Sequence, residues 1–263
     1  MTAYPFHKYQ GAGNDFVVID NRNLLFDRGN VELVRRLCDR RFGIGGDGLM
    51  LLQEAGGYDF EMVYFNADGR ESSMCGNGGR CIVAFARDLG LIDRSADFLA
   101  VDGPHHAEID GTRGWVSLQM IDVDTIGRDG DAYVLDTGSP HYVTLADRPL
   151  ADFPVADEGR RIRNNTTYKE EGINVNFVEA EGDGYYLRTY ERGVEDETLA
   201  CGTGATAVAL AMAAREGKDG PFSVPIRVAG GNLVVRFDKD GSRFSRVFLE
   251  GPATFVFKGE VTG

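Results

Sequence analysis

Apolar and polar positions in this chain fall mostly into short alternating blocks, with helical spacing at a few places. Phe6–Gln10 and Phe16–Asp20 read as strands joined by a loop at Gly11-Ala-Gly-Asn-Asp15. Val31, Leu33, Val34, Leu37 and Cys38 recur at helical spacing and predict a helix over 30–40. Leu49–Gln53 and Tyr58–Phe65 read as strands. The first opens from the loop Gly43-Ile-Gly-Gly-Asp-Gly48, and the second ends in the turn Asn66-Ala-Asp-Gly69. Cys75-Gly-Asn-Gly-Gly-Arg-Cys81 leads into Ile82–Leu89 and stops at Gly90, which predicts a helix with a glycine-rich start. Short strands and turns fill Phe98–Met120.

The second half carries its own set. Ala132–Asp136, His141–Leu145, Ile173–Val178 and Tyr185–Tyr190 read as strands. Cys201-Gly-Thr-Gly-Ala205 opens a helix to about Arg215, with Gly217 after it. Its residues are apolar on almost every face, so strands should surround it. Further strands are expected at Ile226–Val228, Leu233–Phe237, Arg246–Leu249 and Ala253–Phe257. Ile121–Asp131 is the linker candidate.

The two halves repeat. Cys75-Gly-Asn-Gly and Cys201-Gly-Thr-Gly share Cys-Gly-x-Gly at a separation of 126 residues. Glu71 and Glu197 lie four before their cysteines, Asn66 and Arg192 nine before, Tyr64 and Tyr190 eleven before. With a short indel the match reaches Gly43-Ile44 against Gly172-Ile173. A chain of 263 residues suits two modest domains. We read a duplicated α/β unit, over 1–120 and 121–250, with the last strand, about 251–263, a candidate to return to the first.

Composition narrows the partners. Net charge is -13, which argues against nucleic acid or an anionic membrane surface as the main partner. Glycine, at 35 residues, is in excess and neither periodic nor confined to a tail, so many backbone positions need freedom from a side chain. Residues 1–20 lack a signal-peptide pattern and no apolar run spans a bilayer, so a cytoplasmic, reducing setting is expected. The four cysteines are then not expected as disulfides. Zinc is a poor reading too, because Cys75 and Cys81 lack paired Cys or His partners at ligand spacing. Cys38 and Cys81 sit on helical apolar faces and are assigned to the core. His105-His106, after Gly103-Pro104, is expected on an exposed turn. The Gly43–Gly48 loop lacks the Gly-Lys-Ser/Thr ending of a phosphate loop and precedes a strand.

Cys75 and Cys201 carry the candidate chemistry. Each stands where a helix begins, where unpaired N–H groups and the helix dipole favour a thiolate and would bind a carboxylate. Were the repeats to face each other across a pseudo-twofold axis, one cleft would hold two thiols on opposite sides. That suits inversion of a stereocentre: one thiolate removes an α-proton while the opposing thiol delivers one to the other face. No cofactor is demanded, and the five lysines sit in no motif for a pyridoxal Schiff base.

Gly11-Ala-Gly-Asn-Asp-Phe16, Phe65-Asn-Ala-Asp-Gly69, Met74–Cys81, Tyr190-Glu-Arg-Gly193 and Glu197–Gly204 resemble diaminopimelate epimerase, in order and across nearly the whole chain. The resemblance implies interconversion of LL- and meso-diaminopimelate in lysine and peptidoglycan precursor synthesis, without cofactor or metal. It implies two α/β (α+β) domains, each a mixed sheet or barrel around a central helix, and a homodimer. Carried over, Cys75 and Cys201 are the base and acid pair. Gly76, Asn77, Gly202 and Thr203 hold the reacting carboxylate. Asn14, Asn66, Asn174, Glu191 and Arg192 hold substrate, with Glu191 and Arg192 expected as a buried pair on the distal carboxylate. His141 and Glu191 tune the thiols. Ser139 and Gly48 depart from the family pattern, which has an amide side chain at each in many members. Two rival readings are a proline or hydroxyproline racemase and a non-catalytic ligand-binding protein. A proline substrate offers nothing for Arg192 and Asn174 to hold, and binding alone needs neither cysteine.

Overall fold

The computed structural model describes residues 2–72 and 74–263. They divide into two compact units, one ending at Leu118 and completed by Gly251–Gly263, the other covering Gln119–Glu250.

The first unit carries β1 (Ala3–Gly11), β2 (Asn14–Asp20), α1 (Val31–Cys38), β3 (Gly48–Gln53), β4 (Phe60–Asn66), α2 (Gly76–Asp88), β5 (Ser95–Ala100), β6 (Gly103–Asp110) and β7 (Trp115–Gln119). β1 and β2 pair antiparallel, and β2 runs parallel to β3. β3 and β4 are antiparallel, β4 is parallel to β5, and β6 and β7 follow antiparallel.

The second unit carries β8 (Gly127–Asp129), β9 (Ala132–Asp136), β10 (Pro140–Leu145), α3 (Val155–Arg163), β11 (Asn174–Glu181), β12 (Gly184–Glu191), β13 (Asp196–Thr198), α4 (Gly202–Glu216), β14 (Gly220–Val228), β15 (Gly231–Asp240) and β16 (Arg243–Pro252). Its pairings repeat the first set: β9 antiparallel to β10, β10 parallel to β11, β11 antiparallel to β12, β12 parallel to β14, then β15 and β16 antiparallel. β17 (Thr254–Thr262) lies antiparallel to β1 in the first unit.

Each unit is a mixed sheet around one helix. α2 packs on β1, β2, β3, β4, β6 and β17, and α4 on β9, β10, β11, β12, β14 and β15. The first turn of α2 is Gly-Asn-Gly-Gly, a poor helix former. Its helicity rests on tertiary packing of Ile82, Val83 and Phe85, all fully buried. Full burial of such a side chain stabilises by about 1.5–3 kcal/mol. β3 is buried along its whole length because both faces are covered. Leu49 and Leu51 join the core under α1 with Leu33, Val34 and Leu37, while Met50 packs beneath the start of α2 at Gly78.

Gly13 (φ 94) and Gly138 (φ 98) hold equivalent left-handed turns, delivering Asn14 at the start of β2 and Ser139 just before β10. α3 was not anticipated. Its apolar face is thin, with Val155 and Ile162 packing on Ile173, Val175, Phe177 and Tyr190. Gly159 lets it approach the sheet, since a Cβ there would stand 2.3 Å from Tyr190 Cβ. The His105-His106 expectation is corrected. Both belong to β6 and are half-buried, with His105 stacked on Phe98 at 5.3 Å. Pro104 is accommodated in the strand opposite Leu99. No helix among the described residues is long and apolar enough to cross a membrane.

Candidate active site

In the first unit Cys75 is the N-cap of α2, in extended backbone (φ -99, ψ 126), and its carbonyl accepts the first helical bond from Gly79 N–H at 2.7 Å. Helix geometry leaves the N–H groups of the first turn without intrahelical acceptors. The Cys75 side chain makes no capping hydrogen bond to them. Asn77, 1% exposed, donates through Nδ2 to Asn14 Oδ1 at 2.5 Å, and Asn14 Nδ2 donates to Asp47 Oδ2 at 2.9 Å. Arg40 donates to Asp47 Oδ1 at 2.7 Å and to Asp15 Oδ1 at 2.6 Å, and Lys8 pairs with Asp15 at 2.7 Å. Burial would raise the Asp15 carboxyl, but hydrogen bonds from Arg40 and Lys8 hold it below its ordinary value. Under the same helix turn lies Arg80, with no exposed surface. Its Nη2 donates to Asn77 Oδ1 at 2.8 Å and its Nη1 to the Gly76 carbonyl at 3.4 Å.

In the second unit Cys201 is the N-cap of α4 (φ -121, ψ 112), again with no side-chain cap, and its carbonyl accepts from Ala205 N–H at 2.9 Å. Its Sγ lies 3.5 Å from Thr203 Oγ1. The Thr203 carbonyl accepts from Thr137 Oγ1 at 2.9 Å, and Thr206 Oγ1 donates to the Gly202 carbonyl at 3.1 Å. A Cβ on Gly204 would stand 2.6 Å from Asn176 Oδ1 and 3.2 Å from Cys201 Sγ, so glycine is what lets the thiol and this amide share one corner.

Asn176 holds His141, which is fully buried. Its Nδ2 lies 3.1 Å from His141 Nδ1 and donates to the Tyr142 carbonyl at 3.0 Å, while its Oδ1 accepts from Thr189 at 3.0 Å. Burial, with a smaller contribution from the Arg192 charge, takes His141 down to about 3, so it is neutral at physiological pH. Asn174, 3% exposed, donates to Ser139 Oγ at 2.8 Å and to the Pro140 carbonyl at 3.1 Å. Its Oδ1 accepts from the Arg192 backbone N–H at 2.8 Å. Glu191, half-buried at the end of β12, accepts from Thr198 Oγ1 at 2.8 Å.

The structure thus gathers Cys75, Gly76, Asn77 and Asn14 into one constellation, and Cys201, Gly202, Thr203, Asn174 and His141 into another. Asn66 ends β4 exposed, opposite Gly48. The buried Glu191–Arg192 pair is not found: Arg192 is exposed and its Nη1 donates to the Glu171 carbonyl at 3.0 Å. Cys38 and Cys81 are core residues, and burial pushes each thiol up to about 12. Among the described residues no cluster of three or more His, Cys, Asp or Glu could hold a metal ion.

The model of the diaminopimelate epimerase family matches residues 6–124 and 133–256. The chain belongs to the diaminopimelate epimerase family. A diaminopimelate epimerase from Flavobacterium psychrophilum is 51% identical over 253 residues, covering 96% of this chain and 98% of that one. Another, from Chlorobaculum tepidum, is 44% identical over 262 residues, covering 96% and 99%. Among solved structures, a PhzF-family phenazine biosynthesis protein from Bacillus anthracis shares the fold over 100% of both chains, with a TM-score of 0.76 at 14% identity. A probable proline racemase from Agrobacterium radiobacter does so over 98% of this chain and 93% of its own, with a TM-score of 0.71 at 15% identity.

Within this diaminopimelate epimerase family member, the two departures have physical settings. A Cβ at residue 48 would meet the Phe65 carbonyl oxygen and Tyr64 Cε2, each at 2.5 Å, so Gly48 leaves its space to the Tyr64 ring. Ser139 spends its hydroxyl on Asn174. Sequence reasoning missed Arg80, Asp47, Asn176 and Thr189 as parts of these constellations. Arg80 stood inside a motif already quoted, and Asn176 inside a strand already predicted. What marks them is complete burial of a polar group, which no spacing reveals.

Proposed function

We propose that the chain is a cofactor-independent epimerase that interconverts LL- and meso-diaminopimelate, with Cys75 and Cys201 as its acid–base pair. The observation that carries this reading is a cysteine N-cap on each of the two central helices, in a chain matched end to end by diaminopimelate epimerases. In the reaction, one thiolate takes the α-proton and becomes S–H. The electron pair left on carbon spreads into the carboxylate. The other thiol then gives its proton to the opposite face of the carbon and becomes the thiolate, so each turnover exchanges the protonation states of the pair. First-turn N–H groups at Gly76 and Asn77, and at Gly202 and Thr203, are assigned to the carboxylate, where developing negative charge is stabilised by donors already oriented. Asn14, Asn66, Asn174, Glu191 and Arg192 are assigned to the rest of the substrate, and His141 and Glu191 to tuning the thiols. The repeats over 1–120 and 121–250 are read as the two domains.

The same reading places the chain in the cytoplasm, in lysine and peptidoglycan precursor synthesis, as a homodimer. Exposed Phe255, Val256 and Phe257 on β17 support pairing with a second copy.

Incubation of the reduced protein with LL-diaminopimelate in deuterated water should place deuterium at one α-carbon. Absence of exchange sinks the proposal. Exchange into proline instead would transfer the reading to a proline racemase.

A further inference from the structure

Arg80 has no role in the reaction as written above, yet its surroundings are unusual. Its guanidinium is fully buried and its Nε has no hydrogen-bond partner among the described residues. The other charges beneath the start of α2 balance. Lys8 and Arg40 face Asp15 and Asp47, two cations against two carboxylates. No carboxylate among the described residues pairs with Arg80. A buried cation without an anion is unfavourable, so a nearby group that can become an anion is drawn to do so. Its guanidinium bonds to Gly76 and Asn77, the two residues that follow Cys75, and the thiols whose charge bears on it there are those of Cys81 and Cys75. Cys81 is itself fully buried and held as a thiol. That leaves Cys75, at the positive end of the helix.

The second unit lacks this charge. Five residues after Cys201, where Arg80 stands five after Cys75, is Thr206, whose hydroxyl makes the same kind of bond to the first helical carbonyl. The buried imidazole near Cys201 is neutral.

We propose that Arg80 is a positioning residue that makes Cys75 the thiolate of the resting pair and leaves Cys201 the thiol. This rests on the two-cysteine reading above. The resting protein is thereby set to deprotonate the substrate epimer whose α-hydrogen faces Cys75, and the reverse direction must begin from the less populated proton arrangement. Other titratable groups on elements packed around α2 do not compete. On β1, His7 and Tyr9 lie at the far end of α2, against Phe85 and Asp88, and Lys8 is paired with Asp15 of β2. β3 has no titratable side chain. Glu61 of β4 faces Arg28, and Tyr64 of β4 is a phenol beside Gly48. On β6, His105 and His106 pair with Asp102 and Asp97, and on β17 Lys258 bears on His7.

The test is the pH profile of iodoacetamide alkylation at each thiol, read by peptide mass spectrometry on reduced wild type, Arg80→Met and Arg80→Lys. In wild type, Cys75 should reach half-maximal rate at lower pH than Cys201. Arg80→Met should raise the Cys75 midpoint by about one pH unit or more and leave Cys201 in place, because loss of one buried charge acts locally. Arg80→Lys should restore most of the difference. Equal midpoints in wild type, or Cys201 below Cys75, overturn the proposal without any variant, so it survives a variant that fails to fold. Parallel shifts of both thiols in Arg80→Met would mark a merely structural role and also overturn it. Deuterium exchange into diaminopimelate separates the two readings. Normal exchange with equal thiol midpoints removes the Arg80 role alone, whereas ordered midpoints without exchange remove the epimerase reading.

Discussion

Asn176 sets the tautomer of His141. The Tyr142 carbonyl can only accept, so the amide nitrogen of Asn176 must face it, and that same nitrogen lies 3.1 Å from His141 Nδ1. Nδ1 is therefore the acceptor and the ring proton sits on Nε2, which has no partner among the described residues. His141 stands in the second unit as a neutral donor aimed away from its anchor.

Asn176→Asp replaces the donor with a carboxylate and should move the proton to Nδ1 while raising the imidazole pKa. Nitrogen-15 chemical shifts of His141 would report it. An unchanged Nε2–H signal would contradict the assignment.

His141 also makes stability pH-dependent. Its folded pKa, about 3, lies below the unfolded value of 6.5, so the unfolded chain binds more protons between these limits and stability falls as pH drops through that window. The contribution lost between pH 7 and pH 4 is on the order of 3 kcal/mol. His141→Gln should unfold less steeply with acid than wild type in denaturant titrations at those two pH values. Equal acid sensitivity would show that the imidazole is not held neutral.

Cys75→Ala and Cys201→Ala should each abolish epimerisation, measured as loss of turnover by more than about a thousandfold, since general acid–base groups contribute factors of about 10² to 10⁴. Near-normal turnover in either variant would remove the two-base mechanism. Cys38 and Cys81, with thiols pushed up to about 12, should resist alkylation in the folded protein at neutral pH.

Gly204→Ala places a methyl group 2.6 Å from Asn176 Oδ1 and 3.2 Å from Cys201 Sγ. It should cost about 1–3 kcal/mol of stability and most of the activity. Gly56→Ala, where a Cβ meets nothing within 4 Å, should change neither and serves as the control. Thermal unfolding and turnover on the two variants check both statements.

The repeat and its two helix starts were legible in the chain because they depend on local, ordered features. A Cys-Gly-x-Gly step ahead of an apolar run marks a helix start wherever it occurs, and the Ala205–Ala214 run, apolar except for Thr206, requires surrounding strands. α3 was not legible. With Gly159 and three arginines in nine residues its apolar stripe is too thin, and its helicity comes from packing on Tyr190 and Phe177. Arg192 shows the opposite failure. Its neighbours in sequence suggested burial, but the turn after β12 turns it outward, and only its backbone N–H meets Asn174. Residue types and spacing sufficed for the family and for the two helix starts at Cys75 and Cys201, because such motifs are carried by a few contiguous residues. The charge state around each thiol came from elsewhere. Arg80 and Thr206 occupy the same place in the repeat, and the neutral His141 is held by Asn176 across parallel strands. Whether a buried group stands as cation, hydroxyl or neutral ring depends on desolvation and on partners distant in sequence, which arise only when the chain packs.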